Sequence, residues 1–119
     1  MSANTVQNFE DTTVWKDAIE LAVMVYEVTR KFRKDELFGM MSQLRRASSS
    51  VSANLAKGYG RYGLKEKHQF YAIAYGSLLE TKSFLLLAVR LKYVDDISMM
   101  VLLITSLQKQ INDIKKSLR

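Results

Sequence analysis

The 119-residue chain contains no cysteine and no proline, and only one histidine and one tryptophan. Without cysteine, disulfides and thiolate metal sites are excluded, and a reducing cytoplasm is allowed. Without proline, normally about 5% of residues, nothing interrupts long helices, and folds that lean on proline turns lose ground. A lone histidine, His68, would leave carboxylates to complete any zinc site, an improbable ligand set. A basic-then-apolar leader is also missing, because the opening MSANTVQNFEDTT is polar. Residues 1–10 read as a flexible N-terminus. The longest apolar run of interest, Phe84 to Val89, is far too short for a membrane span. The sequence therefore predicts a cytoplasmic, soluble protein with one domain and room for one core.

What is present is ordinary in amount and uneven in placement. Hydrophobic residues make up 48% and charged residues 25%, as in most globular domains. The net charge is +6. Residues 1–32 carry three bases against five acids, residues 33–67 eight against three, and the remainder seven against four. The middle of the chain is thus the basic part. A local positive excess favours a polyanionic partner, although it also serves simply to keep a surface solvated.

Periodicity gives four helices. Ile97, Ile104, Ile111 and Leu118 recur every seven residues, with Met100, Leu107 and Ile114 in the complementary series, so all seven core positions are apolar. This predicts a helix over about 96–118, with Asp95 or Asp96 at its start and Lys115, Lys116 and Arg119 at its end, as the helix dipole prefers. A first helix over about 13–32 places Val14, Leu21 and Val28 beside Ala18, Val25 and Phe32, with Thr12 or Thr13 as its cap. Trp15, Ile19, Ala22 and Tyr26 widen its stripe, and Val23 and Met24 suggest contact with another subunit. A second helix over about 36–58 lines up Leu37, Met41, Leu44, Ser48, Val51 and Leu55. Its middle, ASSSVSAN (47–54), is weak by propensity, and close packing of small side chains would offset that. A third helix over about 65–92 carries Phe70, Ile73, Ala74, Ser77, Phe84, Leu85 and Ala88. Its FLLLAV segment (84–89) is apolar nearly all round, which predicts the deepest burial of the four. Short connections force neighbours antiparallel, so the fold class is all-α, an up-down four-helix bundle.

The stretch KGYGRYGLK (57–65) contains Gly58, Gly60 and Gly63, which spell the GxGxxG of a dinucleotide-binding loop. That loop requires a buried strand before it, and here a helix precedes it. The glycines are instead expected to form a helix C-cap and turn, with Gly58 or Gly60 at positive φ. No other chemistry emerges. Ser48, Ser49 and Ser50 form no GxSxG elbow. There is no Glu-x-x-His pair and no phosphate-binding loop. Glu80 stands in an apolar helix and calls for a basic partner, with Arg45, Arg46 and Lys82 as candidates. These readings predict no catalytic residue, no cofactor and no metal.

What remains is a set of cations interleaved with aromatics: Arg45 and Arg46 on the second helix, then Lys57, Tyr59, Arg61, Tyr62, Lys65 and Lys67. Guanidinium groups grip phosphate in bidentate fashion, and tyrosines stack on unpaired bases. The alternative is that the tyrosines cap the bundle end and the arginines pair with acids.

Three segments, VWKDAIELAVMVYEVTRKF, LFGMMSQLRRASSSVSANLAKGYGR and FYAIAYGSLLETKSFLLLAVRLKYV, resemble in order and spacing the four-helix-bundle family of 23S rRNA intervening-sequence proteins. That family includes the accessory variability determinant of diversity-generating retroelements. The likeness runs from about Phe9 to Leu118, and Arg45, Arg46, Gly58, Gly60 and Arg61 fall on its motif positions. The resemblance implies a homopentameric ring. In retroelement members it also implies nucleic-acid binding with little sequence preference and association with a reverse transcriptase. The chain departs from the pattern at Ser52, usually proline, at Lys57, usually acidic, and at Tyr75, commonly arginine. The expected function is a non-enzymatic oligomeric module that binds nucleic acid, RNA above all, through Arg45, Arg46, Lys57, Arg61, Lys65 and Lys67. The alternative is an adaptor whose basic surface meets an acidic protein such as a polymerase.

Overall fold

The computed structural model describes residues 8–33 and 39–118. A short 3-10 turn, Phe9–Asp11, leads into α1 (Thr13–Thr29), followed by α2 (Met40–Gly60), α3 (Leu64–Arg90) and α4 (Ser98–Ser117). No strand occurs among the described residues. Each helix packs on its two neighbours in the order α1, α2, α3, α4 and back to α1, most extensively between α2 and α3, and among the described residues the backbones of the diagonal pairs stay apart. Cross-contacts fix the directions. The start of α2 meets the end of α1 at Arg45 and Thr29. The end of α2 meets the start of α3 at Gly58 and Tyr71, and the end of α4 meets the starts of α3 and α1 at His68 and Asp17. This is the expected up-down bundle.

Local chemistry sets the helix starts. The Thr12 hydroxyl accepts the Trp15 N–H at 3.3 Å and donates to the Phe9 carbonyl at 2.6 Å, while the Phe9 and Trp15 rings meet edge to face at 5.3 Å. Before α4, the Asp96 carboxylate accepts from the Ser98 hydroxyl at 2.6 Å and from its N–H at 2.9 Å, and these bonds, the hydroxyl's above all, hold its pKa below the usual range. The start expected for the second helix, including Leu37, lies outside the described residues.

The core forms where the heptad series converge. Leu21, Val25, Leu44, Val51, Leu78, Leu85, Ile104, Leu107 and Ile111 are fully buried. The serine-rich middle of α2 is helical throughout because its polar groups are satisfied within the helix. Ser49 donates to the Arg45 carbonyl at 2.8 Å, Ser52 to Ser49 at 3.1 Å, and Asn54 to Ser50 at 2.8 Å. Ser77 of α3 reaches across to the Ser50 hydroxyl at 3.0 Å, and Thr81 donates back to the Ser77 carbonyl. Every buried side-chain nitrogen and oxygen among the described residues has a partner. Ser52 sits in an unbroken helix.

Two expectations are corrected. No described glycine has positive φ. Helix α2 runs through Gly58 and Gly60, and only residues 61–63 connect it to α3. Gly58 is needed for space instead: a Cβ there would lie 2.8 Å from the Tyr71 ring. Packing on that glycine buries Tyr71 and pushes its phenol pKa up, with a smaller push from Tyr59. Second, α3 is not the most buried helix. Tyr71, Ala74, Leu78, Thr81, Leu85 and Ala88 face the core, but Ile73, Leu79, Leu86 and Leu87 are exposed. By length and composition α3 could cross a membrane, and 28% of that apolar window is buried in the bundle.

Candidate nucleic-acid interface

Antiparallel packing gathers the C-terminus of α2, the N-terminus of α3, the C-terminus of α4 and the start of α1 with the turn before it, which carry Glu10, Asp11 and Asp17, at one end of the molecule. Four of the six predicted cations belong there, and the bundle treats them differently. Lys67 Nζ donates to the Gly58 and Tyr59 carbonyls at 3.1 and 2.9 Å. It thereby caps the α2 C-terminus, where a cation is favoured by the dipole, and keeps one of its three donors for other use. The Arg61 guanidinium lies 4.8 Å above the Phe70 ring, with its Nε 3.8 Å from Glu66. The Lys57 ammonium stands 6.0 Å from the same ring. Lys65 is exposed and has no partner among the described residues. Gly60 and Gly63 border this tip, where an added Cβ would meet nothing within 4 Å.

Arg45 and Arg46 lie elsewhere. Eleven residues separate Arg46 from Lys57, which is about 16 Å along a helix. The two arginines also occupy opposite flanks of α2. Arg45 donates from Nε to the buried Thr29 hydroxyl at 2.8 Å and from Nη2 to the Tyr26 carbonyl at 3.3 Å, with its guanidinium 4.6 Å over the Tyr26 ring. It clamps the last turn of α1. Arg46 turns toward α3, reaching Gln43 at 2.8 Å and Glu80 at 3.3 Å. Glu80 thus finds its basic partner in Arg46. With side chains 64% and 40% exposed, this pair is worth at most about 1 kcal/mol. The six residues form a cluster of four at the tip and two separate arginines.

Sequence reasoning missed what α4 brings. Lys115 and Lys116 close α4 as the dipole predicts, and the topology sets them beside α3. His68 Nε2–H donates to the Leu118 carbonyl at 3.2 Å, and Lys115 Nζ lies 5.7 Å from the Tyr75 ring. Tyr75 accepts a hydrogen bond from Gln108 Nε2 at 3.2 Å. Hydrogen bonds from Gln108 and Asn112, with the Lys115 charge, draw its pKa down. Lys109 pairs with Asp113 at 2.9 Å, raising the lysine pKa and lowering that of the carboxylate. The missed signal is the antiparallel placement of two segments some 50 residues apart.

A second surface is apolar. Leu86, Val89, Val101 and Leu102 line the groove between α3 and α4, and Leu102 continues with Met24, Met99 and Leu103 into the groove between α4 and α1. Met99 and Leu102 are 68% and 65% exposed. Val23 is exposed on the first helix, as expected, and Met24 borders the groove to α4, while further exposed apolar side chains lie on α3 and α4. Among the described residues, no three His, Cys, Asp or Glu side chains are grouped to hold a metal.

No protein of curated function matches the chain significantly. Its fold is similar to a crystal structure of a protein of unknown function from the S23 ribosomal protein family of Bacteroides thetaiotaomicron. The two are 22% identical, with a TM-score of 0.78 over 87% of this chain and 99% of the other. The family model described as 23S rRNA-intervening sequence protein matches residues 10–119, nearly the whole chain. The likeness carried by the QLRRA and SANLAKGYGR segments thus extends over all four helices, and the chain belongs to the 23S rRNA-intervening sequence protein family.

Proposed function

We propose that this protein is a non-enzymatic, self-associating module of the cytoplasm that binds nucleic acid, RNA above all, through its basic end. The observation that carries the reading is the convergence of Lys57, Arg61, Lys65 and Lys67 with the α4 terminus bearing Lys115 and Lys116. Phosphate contacts made by such side chains release counterions, so affinity would fall steeply with salt. Backbone contacts of this kind carry little sequence information. Arg45 and Arg46, tied to Thr29 and Glu80, contribute less.

Self-association is supported by the apolar surface running from Leu86 through Leu102 to Met24, which is costly to leave in water. A ring, pentameric as the family resemblance suggests, would repeat the basic end and add weak contacts into a substantial total. Gel-shift titration of a structured RNA against salt tests the reading. The expected result is a shift at low salt whose log–log slope becomes shallower when Lys57, Arg61 and Lys65 are replaced by Ala. An intact assembly that shifts neither RNA nor DNA at low salt would overturn it. A pull-down that keeps a protein partner after nuclease treatment would point to an adaptor for an acidic protein, such as a reverse transcriptase.

A further inference from the structure

Five of the six tyrosines have work inside the bundle. Tyr26 lies beneath Arg45, Tyr71 packs on Gly58, Tyr75 accepts from Gln108, Tyr93 meets Phe32, and half-buried Tyr59 is capped by Lys67. Tyr62 differs. It is fully exposed, at 101% of its reference area. It lies in the short connection between α2 and α3, outside both helices. Arg61 before it is extended, at φ −83° and ψ 149°, with its guanidinium laid over Phe70. Arg61 folds back onto Phe70, whereas the fully exposed Tyr62 ring points into solvent.

An aromatic face in open water, flanked in sequence by Arg61 and Lys65, matches one chemistry well. An unpaired nucleotide offers a flat π-face beside a phosphate, and both features are met here within a few residues. In a duplex the base faces are already stacked on their neighbours, and a side chain reaches only phosphates, sugars and base edges. We infer that Tyr62 is a base-stacking site that selects unpaired nucleotides over duplex at the basic end. The inference rests on the nucleic-acid reading above and names which form that end prefers.

Anisotropy titrations of the intact assembly with labelled single-stranded oligouridine of about 12 nucleotides, and with a duplex of equal length, separate the two claims. The wild type should bind the single strand more tightly than the duplex. Tyr62→Ala should weaken single-strand binding by about 5- to 100-fold, leave duplex binding within about twofold, and be restored by Tyr62→Phe. Because Tyr62 packs against nothing, the variant should keep the parent circular dichroism and melting temperature. Equal single-strand affinity for Tyr62→Ala and wild type, or equal losses on both ligands, would overturn the stacking site while leaving the basic end intact. Absence of binding to either ligand by the wild type would overturn both.

Discussion

The inner and outer faces of α3 have similar composition and opposite circumstances. Leu78 and Leu85 are fully buried against the other helices. One residue further along, Leu79 and Leu86 are 43% and 49% exposed. Hydrophobicity along this helix therefore covers two separate circumstances, one met within the chain and one that the proposed self-association would meet. The largest effect expected from breaking this symmetry is at Leu78→Ala. It should cost about 2–5 kcal/mol of folding free energy through lost transfer energy and a residual cavity, read as a lower urea midpoint. Leu86→Glu, or Leu102→Glu opposite it in the groove, should change monomer stability by only about 0.5 kcal/mol yet abolish assembly. Light scattering checks this: a Leu86→Glu variant that keeps its assembled mass would remove the α3–α4 groove as the contact between copies.

Gly58→Ala probes the inner face from the α2 side. Its Cβ would press on Tyr71 at 2.8 Å, so α2 and α3 must separate or the ring must turn, at about 1–3 kcal/mol. A turn glycine at positive φ would lose stability for a backbone reason that Tyr71 could not relieve. Hence Tyr71→Ala in the Gly58→Ala background should recover part of the loss in a double-mutant cycle, whereas a backbone effect would stay additive. Burial of Tyr71 also gives this interface a pH signature. Its folded pKa is raised, so its contribution is complete below the unfolded pKa near 10 and is lost as pH rises through the higher folded value. Urea midpoints should fall more steeply above pH 10 for the wild type than for Tyr71→Phe.

The bundle was legible in the sequence because the information it needs is local. The Ile97, Ile104, Ile111 series states which side of α4 is inside, and those residues are buried. The features that escaped depend on pairings between distant segments. Gly58 looks like a turn residue until Tyr71 is placed beside it. FLLLAV looks like deep core because an apolar run cannot say whether its second face meets the same chain. Arg45 and Arg46, adjacent in sequence, look like one anion grip, but 100° around a helix sends one to α1 and the other to α3. Lys115 and Lys116 join the basic end only once α4 is known to run back beside α3.

That split between adjacent cations makes the next prediction a comparison of Arg45 with Arg61. Arg45→Ala removes two hydrogen bonds to the last turn of α1 and the stack on Tyr26. It should cost about 1–2 kcal/mol of stability, with a small effect on nucleic-acid affinity. Arg61→Ala, releasing only an exposed aromatic contact and a long ion pair, should cost about 0.5 kcal/mol or less and weaken binding more. Thermal melts and anisotropy on the same two variants give the answer, and a reversed order would place the anion grip on the flank of α2.

The smallest expected change sits where both faces of α3 end. Lys92 is the described non-glycine residue at positive φ, 65°, and its N–H bonds to the Val89 carbonyl at 3.0 Å while that of Tyr93 bonds to Ala88 at 2.9 Å. These paired bonds close α3 with a left-handed residue in the position that favours glycine. A lysine there bears a steric cost of about 1 kcal/mol, partly offset by its charge at the helix C-terminus. Lys92→Gly removes the strain and adds unfolded-state entropy, leaving a gain of about 0.5 kcal/mol, or about 2 °C in melting temperature. Lys92→Val should move the other way by about 1 kcal/mol, because a β-branched side chain fits the left-handed region poorly. Since this turn sets α4 beside α3, the glycine variant should leave assembly unchanged. A glycine variant that melts lower than the parent would mean that the Lys92 charge outweighs its backbone geometry.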